Sequence, residues 1–317
     1  MQNNSNIFSF SHIAALDSGS LYLTGIVNEL ENNDVKHTIL WERIDGVWKR
    51  YQNNNRTYGL CAYSTHGEDT AIYMGYEGTL KVRGTVQGSR VEILDDSADG
   101  PSSLRTVSSI RNINGNLFIA GMRRMVFTRH INESVWRRFD DGLVLKKSDL
   151  EIAGIYAIDG FSTSDIYAVG LGGEIWKFSN EKWNLLNSKT DRTLLTIRCI
   201  SNGLVFVGGE NGILLISEND CWTKVEHSFQ DETFRCIEYW NNRCFVSSDN
   251  GIVYELFLNE SPRLEVFKID SLPFTSWMTI TTDRIWFAGN NTVMSLGIDG
   301  WRDDSPTIDV LTVTPKN

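Results

Sequence analysis

The chain alternates apolar and polar positions in short runs, and no run has the 3.6-residue period or the length of a helix. Ser164–Ser188 and Asn202–Ser228 carry the same pattern twice: a short apolar strand ending in Gly, a Gly-rich turn and a second alternating strand. A polar turn follows, and Trp then opens a further strand. The strand-plus-Gly signature recurs through the chain as LYLTG, IYMG, LFIAG, IYAVG, VFVG, CFVS and IWFAG. It closes at positions 25, 75, 121, 170, 208, 247 and 289, spaced 38 to 50 residues apart. Such a period marks a repeat architecture built from one supersecondary unit.

Each signature is preceded by another strand: SHIAAL (11–16), TYGLCAY (57–63), RTVSSI (105–110), AGIYAI (153–158), TIRCI (196–200), TFRCI (233–237) and SWMTI (276–280). A small side chain stands near the end of each: Ala14, Cys61, Ser109, Ala157, Cys199, Cys236 and Thr279. Strands that converge on a common axis are crowded there, so these residues predict the innermost position. Four strands per repeat and seven repeats give an all-β chain, a single seven-bladed β-propeller of four-stranded antiparallel blades. The expected blades are 7–51, 57–95, 105–139, 154–187, 194–226, 233–268 and 276–302, in one domain over 1–317. A strand at 307–313 is expected to pair near the seam between the last blade and the first, where it would cover an open edge.

Trp48, Trp136, Trp183, Trp222 and Trp301 each follow a polar turn and open an outer strand. A ring that buries about 150–250 Å² is expected to wedge between neighbouring blades rather than to stack on a ligand. The turn-Trp units, among them Ile44-Asp45-Gly46-Val47-Trp48, resemble worn Asp-box hairpins. The repeats as a whole resemble the Asp-box and photosystem II assembly-factor-like propellers, with a wider likeness to WD-repeat propellers. The resemblance spans nearly the full chain and implies fold far more than function. The arginine cluster, Tyr/Glu pair and acidic proton donor of sialidase-like members cannot be placed here.

Composition narrows the function classes. With 30 Lys and Arg against 40 Asp and Glu, the net charge of −10 opposes binding to nucleic acid phosphates or anionic membranes. No signal peptide pattern opens the chain, and no apolar run reaches the ~20 residues of a membrane span. Five cysteines without a CxxC pair read as reduced thiols of a cytoplasmic protein. The five histidines lie one to a blade or loop, with no spacing that seats two on a metal. Gly170-Leu171-Gly172-Gly173 leads into a strand rather than a helix, so it reads as a hairpin turn and not a phosphate loop. No catalytic, cofactor or metal residues are assigned.

The unusually long connections are acidic. The first blade inserts a segment bearing Glu29, Glu31 and Asp34; the crossing to blade 3 carries Asp95, Asp96 and Asp99. The crossing to blade 4 carries Asp140, Asp141, Asp149 and Glu151. In a propeller path these loops emerge on one face, where they form either an ordinary solvated rim or a landing surface for a basic protein. The expectation is a non-enzymatic protein-binding chain, monomeric in isolation. Its sharpest form is a bacterial immunity protein covering a toxin; an assembly factor and a glycan-binding or glycan-hydrolysing propeller are the alternatives.

Overall fold

The computed structural model describes residues 8–95, 97, 100–101, 107–143, 145, 153–200, 203–258, 262–267, 272 and 274–307. They form seven four-stranded sheets, spanning 8–53, 57–93, 107–138, 155–186, 194–224, 234–266 and 277–303. Within each sheet the strands follow chain order, and each pairs antiparallel with the next. The innermost strands are β1 (Phe8–Ala15), β5 (Thr57–Thr65), β9 (Val107–Ile113), β13 (Ile155–Ser162), β17 (Leu194–Ile200), β21 (Phe234–Trp240) and β25 (Trp277–Ile280). They pack side by side around a central channel. The predicted seven-bladed propeller is therefore the architecture observed.

Apolar side chains fill the gaps between blades. Each of seven buried clusters joins residues of two neighbouring blades, and together they close the circle. The tryptophans wedge as expected. Trp136 donates its Nε1–H across the gap to Glu92 at 2.9 Å, and Trp183 donates to the Phe139 carbonyl at 2.8 Å. Trp222 packs edge-on against Tyr167 of the preceding blade, and Trp301 meets Phe267. At the seam, Phe10 N–H donates to the Asn290 carbonyl at 2.6 Å and Arg43 pairs with Asp304 at 2.6 Å. The expected closing strand, from residue 308 onward, lies outside the described residues.

The register corrects two details. Gly209 and Ser248, not Gly208 and Ser247, occupy the place of Gly170, because they pair with the first residues of their inner strands as Gly170 pairs with Ile155. The seven small residues do not form one ring either. Ser109, Ala157 and Cys236 stand at one level, Ala14, Cys61 and Thr279 two residues further along, and Cys199 beyond those. The uniform ring lies between those two levels: Ile13, Leu60, Ile110, Ile158, Ile197, Ile237 and Met278 occupy equivalent places in all seven blades. Alternation along a strand turns these large side chains into the inter-blade gaps, where all but the half-buried Leu60 are buried.

The two faces of the disc differ in their connections. One face is trimmed by two-residue turns whose successive positive φ values fit type I′ hairpins: Asp45-Gly46, His66-Gly67, Asn114-Gly115, Asn180-Glu181, Asn219-Asp220 and Asn241-Asn242. The other carries the blade-to-blade crossings and the connections between second and third strands, which hydrogen-bond to one another. Leu94 N–H donates to Gly78, Arg123 N–H to Ala153, and Asp249 N–H to Thr233.

Candidate partner-binding face

The described acidic residues Glu29, Glu31, Asp34, Asp95, Asp140 and Asp141 lie on the face with the blade-to-blade crossings. After the second strand of blade 1, β2 (Leu21–Val27), the chain makes one short helix, α1 (Asn28–Asn32), which places Glu29 and Glu31 in its first turn. Arg56, from the crossing into blade 2, pairs with Glu31 at 3.1 Å and with Asp34 at 2.9 Å. Thr38 Oγ1 ties the base of the same insertion to that crossing by donating to the Asn55 carbonyl. A second clamp joins the next two crossings: Arg138 reaches Asp95 at 3.3 Å and Asp140 at 3.1 Å. Hydrogen bonds from Ser97 hold the Asp95 carboxyl below its usual range. Burial pushes that of Asp140 up, with Arg138 opposing.

Two arginines thus answer four of the six described carboxylates. Glu29 and Asp141 are exposed, and neither makes an ion pair among the described residues. Asp96, Asp99, Asp149 and Glu151 lie outside the described residues. Sequence composition located the acidic segments but not the clamps, because Arg138 reaches the loops from the outer strand of blade 3.

The channel holds charges that sequence reading missed. Blades 3 to 6 place Arg111, Asp159, Arg198 and Glu238 at one level of the wall, alternating in sign. Arg111 Nε lies 3.2 Å from Asp159, Arg198 lies 3.8 Å from Asp159 and 2.9 Å from Glu238, and the Cys199 N–H donates to Asp159 at 2.9 Å. Burial pushes the Glu238 carboxyl up to about 8, with Arg111 pulling it back and Asp159 adding to the rise. A readable signal existed, since a charge follows the ring isoleucine in each of these four repeats (Ile110, Ile158, Ile197, Ile237). The cavity bounded by the inner strands has a volume of about 510 Å³.

All five cysteines are free thiols; burial raises Cys61 to about 11 and Cys236 to about 12, so neither is a thiolate at neutral pH. Among the described residues no three His, Cys, Asp or Glu side chains gather in a metal-holding group. No helix among them is long and apolar enough to cross a membrane.

No protein-family model matches the chain. Over 283 residues it is 26% identical to the Immune protein Tsi7 of Pseudomonas aeruginosa, a match covering 84% of this chain and 90% of that one. The curated likeness is to an immunity protein. Among solved structures, the WD40 β-propeller domain of Doa1 superposes with a TM-score of 0.66 at 10% identity, covering 90% of this chain and 91% of that one. YCF48 bound to a D1 peptide gives 0.63 at 14% identity, covering 92% and 91%. These two establish the propeller fold alone, while the curated relative supports an immunity protein with a protein partner.

Proposed function

We propose that the chain is a non-enzymatic immunity protein that binds and neutralises a cognate, basic toxin domain through its acidic loop face. The observation that carries this reading is the likeness to an immunity protein across most of both chains. The face itself supports it: the six described carboxylates of three connections share one side of a disc whose other side carries tight turns. Loops on a rigid scaffold are where binding residues concentrate, and one sign of charge steers an oppositely charged partner. The channel arginines support the absence of catalysis, since Arg111 and Arg198 are engaged by Asp159 and Glu238 rather than gathered around an open site. In this reading the protein works as a cytoplasmic monomer, occupying the toxin before it reaches its target.

The direct trial is protection. The protein encoded immediately upstream of this chain's gene is expressed in a bacterial host with and without the chain. Growth arrest relieved by the chain is the expected result. Arrest that persists despite equal levels of both proteins, or no arrest at all, contradicts the reading.

A further inference from the structure

The inner strands share a feature at the end that opens on the loop-bearing face. In six of the seven, one extra residue interrupts the pairing at the same level: Ser11, Tyr58, Ser108, Tyr156, Leu195 and Arg235. A β-bulge re-aims the side chain of its unpaired residue. Here all but Ser11 line the channel, and all six stay partly or fully exposed. Two further aromatics flank the mouth, Trp277 on the channel wall and Tyr76 in a neighbouring pocket shared with Tyr58 and Arg56. Trp277 lies against His12 with ring centroids 4.5 Å apart, and Tyr76 lies against Tyr58 at 4.9 Å. Tyr58 and Tyr76 are 37% and 41% exposed, large for rings on a folded surface with no partner.

The charges at the mouth are paired: Arg56, beside the Tyr58 hydroxyl, is held by Glu31 and Asp34. Arg235 is held by both oxygens of Asp249, at 2.5 and 2.9 Å. Burial lowers His12 to about 4, partly offset by a backbone hydrogen bond at Tyr58, so the ring is neutral at physiological pH. Deeper in the channel Arg111 and Arg198 contact Asp159 and Glu238, the latter holding its proton up to about 8. The result is an aromatic centre inside an acidic rim. Tyr, Trp and Arg at the centre with charges at the edge is the composition of an energetic hot spot.

We propose that this mouth is the anchor of the docking face and seats an arginine or lysine side chain presented by a basic segment of the partner. Aromatic faces attract a cation, most strongly where water is excluded. The rim favours a positive segment and disfavours an acidic one. The inference rests on the reading of the acidic face as the docking surface and names the point within it that holds the partner.

The test uses the full chain and the toxin domain whose growth arrest it relieves in the protection trial, in a variant that no longer arrests growth. Tyr58→Ala and Tyr156→Ala are each expected to raise Kd by about 30-fold or more, mostly through faster dissociation. Tyr→Phe at either position, which keeps the ring, stays within roughly threefold, allowing for loss of a hydroxyl contact. Alanine scanning of the toxin's arginines and lysines should locate one whose loss matches the mouth variants. If the unsubstituted chain binds but the Ala variants bind equally well, the anchor is refuted and the docking face survives. A matching loss at an aromatic or aliphatic toxin residue instead refutes the cationic occupant. No binding by the unsubstituted chain overturns both the docking face and the anchor.

Discussion

At a single level of the channel wall the seven inner strands divide into two arcs. Blades 3 to 6 present Arg111, Asp159, Arg198 and Glu238; blades 7, 1 and 2 present Thr279, Ala14 and Cys61. One residue earlier the difference vanishes, and every blade supplies Ile, Leu or Met. The contrast separates what the ring requires from what it tolerates. A large aliphatic side chain at the gap-facing position is required because each blade buries it against its neighbour. The channel-facing position carries either small side chains or charges, and the charges persist only because each has an opposite partner.

Removing a member of the aliphatic ring should therefore cost most. Ile158→Ala, at a residue 2% exposed, is expected to lower unfolding free energy by about 4 kcal/mol, read from urea denaturation. A loss under about 1 kcal/mol would show that the gaps are not tightly packed there. Breaking the charged arc comes next. Arg198→Met leaves Glu238, with its side chain 6% exposed, without its nearest cation and should cost about 3 kcal/mol above pH 8, where that carboxyl is ionised. A neutral outcome would mean that the arc contributes nothing to its own balance.

A further effect depends on pH. Glu238 in the folded chain holds its proton up to about 8, against an ordinary value of 4.5. Below 4.5 both folded and unfolded chains are protonated, so burial carries no ionisation penalty. As pH rises from 4.5 the unfolded chain ionises first, and folded stability falls until the folded carboxyl ionises near 8. Glu238→Gln should flatten the stability profile across that window and leave it unchanged below it. Parallel profiles for the two proteins would place the charge elsewhere.

Much of this fold was legible in the sequence, because strand-closing glycines and turn-opening tryptophans repeat at a period that only a ring of blades explains. The axial level of the inner strands was not. Small side chains at Ala14 and Ser109 share one face of their strands, so alternation makes them equivalent although they stand two residues apart along the axis. The inner-strand bulges create the aromatic mouth, which brings together residues as distant as Tyr58 and Trp277 and so leaves no local pattern to read. The acidic loops were visible as composition. Their clamps were not, since Arg56 and Arg138 become neighbours of those carboxylates only through packing between loops.

The acidic face is proposed to capture a basic partner by electrostatic attraction. Stopped-flow association with the toxin domain identified by the protection trial, across a range of salt concentrations, measures this directly. The rate should fall steeply with salt, and reversing Glu29, Glu31, Asp95, Asp96, Asp140 and Asp141 should slow it by roughly tenfold or more at low salt while removing most of the salt dependence. A rate indifferent to salt and to those six reversals would contradict the account.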